Sequence, residues 1–147
     1  MAEFHATNDR STFDAGPAGT VPVLGGAGFE LWNPSSGEVY AHGNQTKIED
    51  ALQTKRKRQI KLKSSAFHGL SKEWADDRET LPMHRPRIAF RDIARSTDTR
   101  TMIAALVPPA VALTNKAPYL YRREGSASAE AYLLGVLSSI SLDQAAV

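Results

Sequence analysis

A chain of 147 residues, 41% hydrophobic and 23% charged, has the length and composition of one globular domain with a modest core. It has no cysteine, which excludes disulfides and thiolate sites; it also lacks a signal-peptide pattern and any apolar run near the roughly 20 residues of a membrane helix, so a cytoplasmic location is expected. The net charge of +2 hides an asymmetry: residues 1–50 carry two basic and seven acidic side chains, residues 51–147 sixteen and nine, so the later part predicts either a surface facing a polyanion or a solvated basic face.

Residues 1–20 are rich in Ser, Thr, Gly, Asp and Ala and predict a flexible lead-in to a single domain over 21–147. Val21–Leu24 is β-prone. The Asn33-Pro34-Ser35-Ser36-Gly37 run is turn chemistry, and Val39 and Tyr40 restart an extended segment, so 21–41 reads as a hairpin-like pair. Thr46 and Glu49 have capping-box spacing, Ile48 and Leu52 share a face, and acids precede Lys55–Arg58, which together predict a helix. Residues 64–83 lack periodicity and read as a loop holding Phe67, Leu70 and Trp74.

Pro86–Ile93 predicts a strand with Ile88 and Phe90 on one face and Arg87 and Arg91 on the other. Thr101–Val107 is nearly all apolar and predicts a central strand, ended by Pro108-Pro109, with another short strand at Val111–Thr114. Leu133, Val136, Leu137 and Ile140 have the spacing of an amphipathic helix, with Ser126 or Ser128 as its cap. This order predicts an α+β fold: a short mixed or antiparallel sheet flanked by an internal helix and a C-terminal amphipathic helix. Ile88, Phe90, Ile103, Leu106, Leu133 and Leu137 are its expected core.

Signals for catalysis are scarce. His5, His42, His68 and His84 show no metal-ligand spacing, and no nucleophile elbow, phosphate loop or full dinucleotide glycine pattern occurs. Gly25-Gly26-Ala27-Gly28 reads as a tight turn, and Asp76-Asp77 as a solvated pair. The basic segments carry more. Lys55-Arg56-Lys57-Arg58 with Lys61 and Lys63 places six positive charges in nine residues, enough either to neutralise several phosphates or to solvate a helix end. His84–Thr101 holds five arginines alternating with apolar positions; they suit forked contacts with guanine edges and phosphates, or surface ion pairs with Asp92 and Asp98. Few aromatics interleave with the basic run, which disfavours RNA.

The stretch PRIAFRDIARSTDTRTMIAALVPPAVALTNKAPYLY, followed by AYLLGVLSSISLD, resembles the C-terminal specificity region of type IIG restriction–modification enzymes and related adenine-specific DNA methyltransferases, including those of phage-defence systems. VPVLGGAGFELWNP resembles the segment that opens this region, ALQTKRKR and LPMHRPRIAFRD fall in the expected order, and the likeness spans roughly 21–143. It implies a target-recognition domain that grips double-stranded DNA beside a separate catalytic domain, where S-adenosylmethionine binds and the adenine is flipped out. The family's catalytic Asn/Asp-Pro-Pro-aromatic motif is missing: Asn33-Pro34-Ser35-Ser36 lacks the second proline and the aromatic. A non-enzymatic chain without its own cofactor is therefore expected. The family pattern continues past Asp143 into an aromatic-rich stretch, whereas this chain runs Gln144–Val147, which implies a shortened domain.

On this reading the 86–93 strand and the loop after it face DNA. Arg85, Arg87 and Arg91 are expected on the exposed strand face, Arg95, Thr97 and Arg100 on the loop, and Asn115 and Lys116 on the next turn, with Lys55, Arg56, Lys57 and Arg58 holding the backbone. The alternative is a protein-interaction or homodimerisation remnant of such an enzyme, with a methyltransferase or restriction subunit, or a second copy, as partner.

Overall fold

The computed structural model describes residues 1–13, 20–95, 97–98 and 100–139. The expected hairpin-like pair is present: β1 (Thr20–Leu24) runs antiparallel to β2 (Val39–Asn44), with Val21 opposite Gly43 and Val23 opposite Ala41. Helix α1 (Gln45–Gln59) follows at once. Its cap is Asn44, not Thr46: the last residue of β2 is still extended, and its side-chain oxygen accepts from the Lys47 amide at 3.2 Å. Glu49 instead accepts from the side-chain amide of Gln45 at 2.8 Å. The expected loop 64–83 contains a short helix, α2 (Lys72–Asp76), capped by Ser71.

Strands β3 (Arg87–Phe90) and β4 (Ala104–Val107) form a second, antiparallel pair, and β5 (Ala112–Leu113) returns to the first sheet, parallel to β1. Among the described residues the architecture is thus α+β, with sheet orders β2-β1-β5 and β3-β4. The chain also lies along the free side of β3: the Phe90 amide donates to Pro118 and the Leu120 amide to Ile88, both at 2.9 Å. β3 is therefore flanked on both sides, whereas the far side of β4 takes one described backbone bond, from the Trp32 amide to the Ala104 carbonyl at 3.2 Å. That corrects the expected central strand at 101–107 and leaves Leu106 exposed.

Apolar residues divide among three clusters. Phe4, Phe13, Val23, Ile48, Leu52 and Leu81 join α1 to the first sheet. Leu24, Phe29, Val107, Leu113 and Tyr119 fill the space toward the second. Ile88, Ala104 and Leu134 seat the last helix, α3 (Ala127–Leu137), with Phe90 and Leu137 packed beside them. Ile103 is buried as expected. Residues 1–13, expected as part of a loose lead-in, belong to the core: the Phe4 amide donates to Leu113 at 3.1 Å and the Phe4 and Phe13 rings meet edge-on at 5.2 Å. Residues 14–19 of that lead-in lie outside the described residues.

Ser126 caps α3, accepting from the Ala129 amide at 3.2 Å. The helix buries Leu134, while Leu133 and Val136 are exposed, which moves the inward face by one residue from the expected one. The cause is a run of Tyr132, Leu133, Leu134, Val136 and Leu137, apolar nearly all round, so that spacing alone does not select a face. Ile140, assigned to the same face, lies outside the described residues. No described helix is long and apolar enough to cross a membrane.

Candidate nucleic-acid interface

Two expected DNA-facing arginines are interior. Arg56 sits on the inward side of α1, 1% exposed; its guanidinium donates to Thr80 Oγ1 (2.6 Å) and to the carbonyls of Ala75 (3.1 Å) and Asp77 (2.6 Å), and stacks over the Trp74 ring at 4.4 Å. It stitches α1 to α2 and the turn after it. Arg87 lies 5.3 Å from the Tyr119 ring, and its Nη2 is 3.0 Å from Glu3 and 2.7 Å from the Val111 carbonyl. Glu3 also accepts from the Leu113 amide at 2.7 Å. Burial pushes the Glu3 carboxyl up, against the pull of Arg87. The expected exposed face of β3 does not exist at Arg87, because the N-terminal segment and the 118–120 stretch cover it.

Other expected contacts are engaged at the surface. Arg91 pairs with Glu30 at 2.6 Å and Asp98 at 3.2 Å, the structural alternative left open above for Asp98. The Arg95 amide, ahead of Arg91's effect, holds Asp98 below the usual carboxylate range. Lys55 pairs with Asp9, Lys57 with Asp76 at 2.8 Å, and Lys116 lies 3.6 Å from Asp92. Arg100 donates to the Ser138 carbonyl at 3.4 Å, and Asn115 Oδ1 accepts from the Ala6 amide at 2.9 Å. Thr97 is exposed. Arg58, Arg85 and Arg95 are exposed, and their side chains have no acidic partner among the described residues.

The fold gathers these residues around two clefts. The larger, of about 780 Å³, lies between the Gly25–Gly28 turn and the loop after β3, and holds Arg91, Arg95 and Lys116. Glu30, Glu38 and Asp98 line it too, so its charges cancel. The smaller, of about 300 Å³, opens beside β3 and the start of α3. Trp74, Tyr119 and Tyr121 are among its walls, with Arg85, Arg122 and Glu130. Phe67, Trp74 and Tyr121 form one aromatic group, with Phe67–Tyr121 centroids 4.8 Å apart. Burial raises the Tyr121 hydroxyl pKa, while Arg123, Arg85 and Arg56 pull it back, which sets three cations within electrostatic reach of one ring.

Arg123 is oriented by carbonyl oxygens and has no acidic partner among the described residues. Its guanidinium donates to the carbonyls of Ala66 and His68, so the dipoles fix its direction while the full positive charge persists. Ala66 lies in the loop between α1 and α2, which also carries the exposed Lys61 and Lys63. Arg122 donates to the Gly125 carbonyl and stands 3.6 Å from Glu130. The sequence reading missed Arg122, Arg123, Trp74 and Tyr121. The run Tyr119-Leu120-Tyr121-Arg122-Arg123 is an aromatic–basic signal that was there to be read.

Among the described residues no group of three or more His, Cys, Asp or Glu could hold a metal ion. Comparison with protein-family models, curated proteins and solved structures finds no match to the chain.

Proposed function

We propose that the chain is a double-stranded-DNA recognition module of the kind its sequence resembles, the target-recognition region of an adenine-specific methyltransferase or restriction enzyme. The observation that carries this reading is the basic surface around Tyr121: among the described residues Arg85 has no acidic partner, and Arg123 donates to the carbonyls of Ala66 and His68. Duplex DNA is a dense line of negative charge, and cations with no internal partner are the ones whose binding releases counterions. Arg58, near the end of α1, and Lys61 and Lys63 in the loop after it are further exposed cations without an acidic partner among the described residues. Arg56 and Arg87 keep the fold in register and make no DNA contact on this account.

The test is anisotropy with a labelled mixed-sequence duplex at low ionic strength. Arg85→Glu with Arg58→Glu is expected to weaken binding by at least about tenfold, since each lost cation–phosphate contact lowers affinity. Arg95→Glu, in the charge-balanced cleft, is expected to change it little. Equal effects at the two places would refute the assignment of the surface.

A second reading rests on a different observation. Helix α3 exposes Tyr132 (76%), Leu133 and Val136 together, an apolar surface of the kind that marks a protein contact. It supports a subunit-binding or homodimerising remnant; sedimentation at rising concentration separates the two, because only the second reading needs a dimer or a complex.

A further inference from the structure

We propose that the cleft beside Tyr121 receives a single unstacked base of the bound DNA, with the flanking phosphates on Arg85 and Arg122. This inference rests on the DNA-recognition reading and extends it from the backbone to a base. Three observations carry it. The cleft, at about 300 Å³, reaches the lower limit of sites that enclose a small ligand. Its walls include the aromatic rings of Trp74 and Tyr121, with Pro86 and Leu106, which suit a flat apolar body. Its charged groups are Arg85, Arg87, Arg122 and Glu130; Arg87 is tied to Glu3, and the other three complement a nucleotide: cations for the phosphates, and a carboxylate for an exocyclic amine. Stacking platforms bordered by basic side chains hold bases without regard to sequence, because every base has a π-face.

A fully paired duplex hides the faces of its bases, so an unpaired nucleotide should enter more readily. The experiment compares the full chain on two labelled duplexes that differ only by one unpaired adenosine. Binding to the bulged duplex is expected to be about tenfold tighter, the effect of one stacked base. Ala131→Phe and, separately, Ala127→Phe fill the cleft from exposed positions on α3 without removing a core residue, and each is expected to abolish the preference. With 2-aminopurine as the unpaired base, its emission is expected to fall on binding in the native chain and to stay unchanged in Ala131→Phe.

Equal affinity for the two duplexes, or a preference that survives both plugging variants, overturns the base-binding inference while salt-sensitive binding to the paired duplex upholds the DNA reading. Tight binding to the bulged duplex alone, lost on plugging, supports the cleft and tells against duplex recognition. Absence of binding to both overturns both.

Discussion

Replacing Arg87 by methionine keeps an apolar stem of similar length and removes the guanidinium head and its charge. The Arg87 and Glu3 side chains are 4% and 2% exposed, which decides the size of the effect. An exposed ion pair contributes about 0–1 kcal/mol, whereas removing one partner of a buried pair costs about 3–5 kcal/mol, because the other charge stays in the interior. In Arg87→Met the Glu3 carboxylate keeps the Leu113 amide but loses its counter-ion, and the Val111 carbonyl loses a donor. A loss of about 3 kcal/mol is expected at pH 7, read by urea unfolding with circular dichroism.

The pH dependence has a definite sign. Burial already pushes Glu3 up, and removing Arg87 removes an opposing pull, so the folded variant takes up a proton before the unfolded chain does. The stability this confers is fully present below the ordinary glutamate pKa of about 4.3 and is lost as pH rises through the folded value. The penalty of Arg87→Met should therefore shrink on going from pH 7 to pH 5. Glu3→Gln combined with Arg87→Met should recover part of the loss at pH 7. If Arg87→Met unfolds within about 1 kcal/mol of the native chain at pH 7, the pair behaves as a surface pair and the assignment of Arg87 to the fold is wrong.

Further outcomes follow from single positions. Gly37→Ala places a methyl group against the Ala27 carbonyl, a backbone atom that cannot swing aside, so a loss of about 1–3 kcal/mol is expected by urea unfolding. Ser126→Ala removes the α3 cap and should cost about 1 kcal/mol, with the early amides of α3 exchanging faster. Asp98, held down by the Arg95 amide and by Arg91, should titrate by carbon NMR below an ordinary aspartate; its contribution to stability is present above the ordinary aspartate pKa and lost as pH falls through the folded value. Arg91→Met should raise that titration, and an unchanged midpoint would show that the Arg91–Asp98 pair is not formed in solution.

What was legible in the sequence was local. The β1–β2 pairing followed from Asn33–Gly37 turn chemistry, the α3 start from the choice of Ser126 or Ser128 as cap, of which Ser126 is the one used, and the end of β4 from Pro108-Pro109. What was not legible depended on which segments lie beside one another. The alternation of Ile88 and Phe90 with Arg87 and Arg91 reads as a half-exposed strand, and only the packing of residues 1–4 and 118–120 against it makes Arg87 interior. Arg56 stands within four consecutive cations and looks solvated, but α2 and its turn offer it two carbonyls and a hydroxyl. The cleft needed Trp74, Arg85 and Tyr121 to meet across the fold, and no spacing rule joins them.

The most direct test of the central claim is the salt dependence of duplex binding, plotted as log affinity against log salt concentration. Each phosphate contact contributes a slope of about −0.9. The native chain is expected to show a slope of several such contacts, Arg85→Gln to reduce its magnitude by about 1, and Arg95→Gln to leave it unchanged. A native chain with no salt-sensitive affinity for duplex DNA, or an Arg85→Gln variant whose slope matches the native one, would contradict the account.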